Sequence, residues 1–115
     1  MNKLKTVNIK GKEYVTVKER LKFFREKFTG YSLTSEITHI NENGVIIRAT
    51  IKNDKGVVVA SGYAHEKQGS SFINKTSFIE NCETSAWGRC LGNFGIGVDE
   101  SVASADEVAN AINNQ

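Results

Sequence analysis

Residues 78–97, FIENCETSAWGRCLGNFGIG, decide the fold of this 115-residue chain. Small and apolar side chains recur in this segment at the spacing of one helical face, at Ile79, Cys82, Ala86 and Cys90. Three glycines then follow within six positions, beginning at Gly92, and glycine ends helices because it adopts left-handed backbone geometry at little cost. The pattern predicts a helix over about residues 74–93 that packs closely on a sheet or a neighbouring helix and stops at a tight, buried turn.

The region before this helix predicts an antiparallel meander of three strands, over residues 33–40, 45–52 and 57–66. Asn43-Gly44 and residues 53–56 supply the two turns. Polar and apolar residues alternate along the middle strand, so one set is expected to face the core and the other to face away. The inward set is Val45, Ile47, Ala49 and Ile51, and the outward set is Ile46, Arg48, Thr50 and Lys52.

Two further elements are expected before the meander. A short ribbon is predicted over residues 6–9 and 13–15. An amphipathic helix over residues 16–28 follows, because Thr16 and Glu19 have the spacing of a capping box and Gly30 ends the segment.

The tail contains a second capping box, Ser104 with Glu107, which predicts a short C-terminal helix through Ile112. The expected fold class is therefore α+β: an antiparallel β-meander with a short N-terminal ribbon, packed on a long helix, with a first amphipathic helix and a short C-terminal helix. Residues 1–115 are expected to form one domain, with its core at about residues 12–97.

The composition is that of a soluble globular protein, with 24% charged and 39% apolar residues. The sequence has neither an apolar run as long as a membrane span nor a secretory signal, so we expect a cytoplasmic protein with no membrane partner. Cys82 and Cys90 lie about 12 Å apart along one predicted helix, too far for a disulfide, and are expected to be buried packing residues.

Recognisable catalytic motifs are absent from the sequence. His39 and His65 have no metal-ligand spacing and are expected on strand surfaces. The glycines that follow the long helix lie at the wrong end of it to hold a phosphate. We therefore expect no enzyme, no catalytic residue, no metal and no cofactor.

The charges favour an anionic partner. Residues 1–30 contain nine Lys or Arg against three Glu, whereas residues 76–115 contain Arg89 against six acidic residues. Arg48 and Lys52 project from the outer face of one strand, and Lys55 lies in the adjoining turn. Basic groups interleaved with aromatic residues are what single-stranded nucleic acid binding requires, and the aromatic candidates are Tyr14, Tyr63 and Phe72.

The stretch ETSAWGRCLGNFGIG resembles the helix that closes the DNA-binding core of the Rad-fifty-two and Sak-like single-strand annealing proteins. The order of elements is similar over about residues 12–97: Tyr14-Val15 before the first helix, Gly62-Tyr63 at the end of the third strand, then Thr84, Arg89, Leu91, Phe94 and Gly95. The resemblance implies that Arg89 and Tyr14 line a DNA groove. Gly88 and Gly92 replace basic residues of that family, so Arg48, Lys52, Lys55 and Lys75 are expected to supply the remaining charge.

The function that follows from this resemblance is binding of single-stranded DNA and annealing of complementary strands in phage-type recombination, in the host cytoplasm. A small domain offers few phosphate contacts, so a homo-oligomeric ring or filament is expected. Two alternatives stay open. One is an OB-like barrel that protects single-stranded DNA without annealing it, and the other is a nonenzymatic phage protein that contacts a partner protein through its acidic tail.

Overall fold

Seven elements make up the part of the chain that the computed structural model describes, which is residues 4–67 and 72–97, with the side chains of residues 72–76 excepted. The strands are β1 (Thr6–Ile9), β2 (Lys12–Val15), β3 (Ser32–Asn41), β4 (Gly44–Lys52) and β5 (Val58–Lys67), and the helices are α1 (Val17–Lys27) and α2 (Phe72–Phe94). β1 and β2 form a two-stranded sheet, and β3-β4-β5 form a separate antiparallel meander.

α1 begins where its cap predicts. The Thr16 side-chain oxygen accepts a hydrogen bond from the Glu19 backbone N–H at 3.1 Å, which satisfies a donor that has no partner within the helix. Val17 and Phe24 are buried along the apolar stripe, and Gly30 takes a positive φ of 87° just beyond the last turn. The predicted first helix is therefore confirmed.

The meander is also confirmed, with corrections at its turns. Residues Val45, Ile47, Ala49 and Ile51 of β4 are all buried, as the alternation predicts. The first turn consists of Glu42 and Asn43, not Asn43-Gly44, because Gly44 already belongs to β4 and pairs with Asn41. The Asn41 side-chain oxygen holds this turn by accepting hydrogen bonds from the backbone N–H groups of Asn43 (2.8 Å) and Gly44 (3.2 Å).

A β-bulge in β3 changes which residues face each other. Counted from the turn, Ile37 would lie opposite Arg48, but the register shifts between Ile37 and His39. Glu36 pairs with Arg48 instead, and Ile37 pairs with Ile47. Because a shift of one residue exchanges the two faces of a strand, the bulge turns the Glu36 carboxylate to the same side as Arg48.

α2 covers the inner face of the meander. Its small residues Cys82, Ala86 and Cys90 are fully buried against β4 and β5. The backbones approach closely at Gly62 of β5, where a Cβ atom would come within 2.5 Å of the Cys90 backbone nitrogen. The Ser35 hydroxyl donates a hydrogen bond to the Glu83 carboxylate and ties β3 to the same helix. The helix backbone is irregular at Ser77.

The end of α2 forms the tight turn that its glycines predict, and of its residues Ile96 is the buried one. Gly95 and Gly97 have φ angles of 115° and 77°, and Ile96 between them is buried. This turn lies against α1, where the fully buried Arg20 donates a hydrogen bond from Nη1 to the Gly88 carbonyl oxygen at 2.8 Å. The sequence analysis did not identify Arg20 as a buried residue.

The observed architecture is α+β, as expected. The OB-like alternative predicted a closed five-stranded barrel, whereas the five described strands form separate sheets of two and three strands. The predicted C-terminal helix with its caps, Ser104 and Glu107, lies outside the described residues.

Candidate functional site

The face of the meander opposite α2, here named the outer face, is open in the described part of the chain. Its side chains come from all three strands and are exposed or half-buried, while the inner-face side chains of β4 are buried under α2. The outer face consists of Ser32, Thr34, Glu36 and His39 on β3, Ile46, Arg48, Thr50 and Lys52 on β4, and Val58, Ser61, Tyr63 and His65 on β5.

A row of three side chains crosses the middle of the outer face. Arg48 pairs across strands with Glu36 on one side and with Tyr63 on the other. The Arg48 guanidinium forms an ion pair with the Glu36 carboxylate through Nη2. The Tyr63 side chain stands beside them with 51% of its surface exposed. An aromatic ring, a donor and an acceptor therefore lie side by side on the surface.

This row borders a depression of about 370 Å³. Its lining is mostly polar and consists of Thr34, Ser35, Glu36, Arg48, Thr50, Lys52, Val58, Ser61 and Tyr63. The volume is within the range of small-molecule sites in proteins. The predicted residues Arg48 and Lys52 thus lie together at one site, and the sequence had not indicated that Glu36 joins them.

Positive charge collects at one end of the depression. Lys52 ends β4, and Lys55 is exposed in the turn that follows. The Asn53 side-chain oxygen holds that turn by accepting hydrogen bonds from the N–H groups of Lys55 and Val57 at 2.9 and 3.0 Å. Lys55 therefore lies in the turn next to Lys52, and its role in binding stays a prediction.

The opposite end of the outer face carries the two histidines. His39 and His65 flank Ile46 on the neighbouring strands, and a second depression of about 460 Å³ lies beside them. The His39 ring Nε2 lies 3.1 Å from the Asn41 side-chain nitrogen. Both rings are exposed on strands, as predicted, and the described residues contain no cluster of three or more metal-ligating side chains.

Arg89 and Tyr14 lie elsewhere. Arg89 is exposed on α2, and its carbonyl carbon would lie 2.9 Å from a Cβ at Gly62, so it sits on the inner side of the sheet. Tyr14 is half-buried on β2 in the two-stranded sheet, opposite Val7. One subunit therefore does not bring Arg89 or Tyr14 into the depression that Arg48 borders. The Lys75 and Phe72 side chains lie outside the described residues.

A second basic surface lies on α1. Lys18, Lys22 and Arg25 are all exposed and follow one another at i, i+4 and i+7, so they share one face of the helix. This face points away from the apolar stripe, as predicted.

The two cysteines take no part in either surface. Both are free and fully buried, and burial raises the pKa of each thiol to about 11. The Cys82 Sγ lies 3.3 Å from the Ala64 carbonyl oxygen, within reach for donation of a weak hydrogen bond. Protonated thiols are poor nucleophiles, which fits the predicted packing role.

Comparison with known proteins gives one family. The family model described as "Slr1353 N-terminal dsRNA-binding domain-like" matches residues 21–94, from the middle of α1 to the end of α2. The match covers well over half of the chain, and the chain belongs to this family. No curated protein and no solved structure gives a match. Across the described residues, neither helix combines the length and apolar character that a membrane crossing requires.

The expected membership of the Rad-fifty-two and Sak-like annealing family is wrong, because the family that matches is a different one. The misleading resemblance rested largely on glycines and small residues of α2. In this chain those residues serve the close packing of α2 on the sheet and the turn at Gly95. The family does indicate nucleic-acid binding as the broad class of function, which agrees with the charge pattern of the sequence.

Proposed function

We propose that this member of the dsRNA-binding domain-like family binds nucleic acid on the outer face, and that the form it binds there is a single strand. The observation that carries the proposal is the exposed Tyr63 ring beside Arg48 on an open sheet. Single strands present unpaired base faces, which stack on exposed aromatic rings, whereas the bases of a duplex are already stacked on each other.

Lys52 and Lys55 support the proposal by their position. Lys52 lines the depression at the end of β4, and Lys55 is exposed in the turn that follows. Both are thus placed to neutralise backbone phosphates of a strand whose bases lie over the sheet. The hydroxyls of Thr34, Thr50 and Ser61 add hydrogen-bond donors and acceptors that tolerate several ligands. The logarithm of the binding constant should therefore fall linearly with the logarithm of the salt concentration.

Strand annealing and assembly are finer parts of the same proposal. One outer face offers few cationic groups, so several copies acting together would raise the affinity by multivalency. β3 and β5 are each paired on one side only within the described meander, and edge-to-edge contact between copies would extend the outer face. Particle mass measured with and without an oligonucleotide tests the assembly, and mixing complementary labelled strands tests the annealing.

Duplex RNA is the second candidate, favoured by the family description and by the basic surface of α1. Lys18, Lys22 and Arg25 could contact phosphates of a duplex without any stacking of bases. This candidate binds through the basic face of α1, whereas the first binds through the outer face of the sheet, so variants of each surface can separate them.

A pair of matched variants separates the two candidates. Arg48→Gln with Lys52→Gln removes two positive charges from the outer face, and Lys18→Gln with Lys22→Gln removes two from α1. Fluorescence anisotropy with labelled single-stranded DNA, single-stranded RNA and duplex RNA measures the affinity of each. We expect the sheet variant to lose at least tenfold in single-strand affinity, as loss of one or two charge-assisted contacts predicts.

The helix variant should keep nearly all of that affinity. The reverse result, loss of duplex RNA binding in the helix variant alone, would establish the second candidate. Far-UV circular dichroism confirms that both variants fold.

A further inference from the structure

The row Glu36–Arg48–Tyr63 has features that phosphate binding does not explain. Glu36 places a negative charge in the centre of the proposed binding face and pairs with its central arginine. The side chains of Arg48 and Glu36 are 40% and 55% exposed, so the pair is open to a ligand and not sealed in the core. Because the two charges offset each other, the row suits a neutral ligand better than an anionic one.

Nucleobases are neutral ligands with the shape that this site can hold. Tyr63 offers a ring face for stacking, and the depression of about 370 Å³ has room for a flat base over the row. The backbone phosphate on one side of that base would then interact with Lys52 and Lys55.

The hydrogen-bonding groups of the row select among bases. A carboxylate accepts two hydrogen bonds side by side, and guanine is the base whose Watson–Crick edge carries two adjacent donors, N1–H and the N2 amino group. Guanine also carries two acceptors, O6 and N7, that an arginine can contact. A guanidinium has five N–H donors, and the ion pair of Arg48 with Glu36 is made through Nη2 alone.

We propose that Glu36, Arg48 and Tyr63 form a nucleobase subsite that prefers guanine within a single strand. Glu36 accepts hydrogen bonds from the Watson–Crick edge, Arg48 donates to the base acceptors, and Tyr63 stacks on the ring. The inference rests on the proposed single-strand binding and adds a base preference to it.

Oligothymidylates of 15 nucleotides that carry one central substitution test the subsite by fluorescence anisotropy. The central base is guanine, adenine, cytosine or hypoxanthine, which is guanine without the N2 amino group. We expect the guanine strand to bind about tenfold more tightly than the hypoxanthine or adenine strand, since one bidentate contact contributes discrimination of that order.

Glu36→Gln should abolish most of the difference between guanine and hypoxanthine, because an amide offers one acceptor oxygen where the carboxylate offers two. The matched control is Glu26→Gln, which removes the same charge from the exposed surface of α1 and should leave the preference unchanged. Tyr63→Leu should weaken binding of every strand, because stacking does not depend on the base edge.

Three outcomes are distinguishable. Equal affinity of the wild-type protein for all four strands overturns the guanine subsite and leaves single-strand binding intact. An equal gain in affinity for all strands in Glu36→Gln, with the preference unchanged, also overturns it, because Glu36 would then act only by repelling phosphate. Absence of binding to every strand, and also to single-stranded RNA of the same length, refutes the proposed function and the subsite together.

Discussion

Gly62→Ala tests the contact on which the whole arrangement depends, the packing of α2 on β5. The added Cβ would lie 2.5 Å from the Cys90 backbone nitrogen and 2.9 Å from the Arg89 carbonyl carbon, whereas ordinary contacts begin at 3.4 Å. Both neighbours are backbone atoms, so no side-chain rotation relieves the overlap. The helix must move away from the strand by roughly 1 Å, which opens gaps around neighbouring buried side chains.

The expected cost is roughly 3 kcal/mol in the free energy of unfolding, the upper end of the range for overpacking a core. With an m-value of about 1.5 kcal/mol/M, the urea midpoint would fall by roughly 2 M. Trp87 is the chain's single tryptophan and lies half-buried on α2, so its fluorescence follows the unfolding, with far-UV circular dichroism as a second signal.

Gly11→Ala is the matched control, because it adds the same methyl group at a turn where no atom lies within 4 Å of the new Cβ. Its φ of 84° is unfavourable for alanine, so this variant should lose only roughly 1 kcal/mol, from backbone strain. A Gly62→Ala protein within about 0.5 kcal/mol of the wild type would show that α2 does not approach β5 at this position, and the assignment of inner and outer faces would fail with it.

Three further predictions concern stability. Thr16→Ala should lower the free energy of unfolding by about 1 kcal/mol, because the first turn of α1 loses its cap, and urea titration measures the change. Arg20→Leu should cost roughly 2 kcal/mol, because the buried Gly88 carbonyl loses a charged donor, and a stability equal to wild type would contradict the buried position of Arg20. The free energy of unfolding should fall as pH rises from 9 to about 11, because the thiols of Cys82 and Cys90 lose protons there in the unfolded chain but keep them in the folded one. A double alanine variant should lose the part of the pH dependence that these two thiols cause.

Much of the fold could be predicted because its signals are local. Alternation in β4 identified the buried residues from Val45 to Ile51, and the spacing in α2 identified Cys82, Ala86 and Cys90. The cap at Thr16 located the start of α1 within one residue. Each of these patterns depends on the period of a single element, which the order of side chains along the chain contains in full.

Only part of the candidate site could be predicted from the sequence, since its residues come from three different strands. Arg48, Lys52 and Lys55 were predicted together because they share one strand and its turn. Glu36 was not predicted as a site residue, because its pairing with Arg48 depends on the register of β3 against β4, which a bulge between Ile37 and His39 sets.

The amino-acid sequence by itself determined which side chains lie on the same face of each helix and strand. Its basic and aromatic residues also favoured nucleic acid as the partner. Only the tertiary structure decided which faces meet. It placed α2 on the inner face of the sheet, where Gly62 has no side chain to keep the helix backbone away. Arg89 of α2 and Arg48 of the outer face therefore lie on opposite sides of the sheet. The physical reason is that periodicity specifies directions within one element, whereas contacts between elements depend on close packing of backbones far apart in the chain.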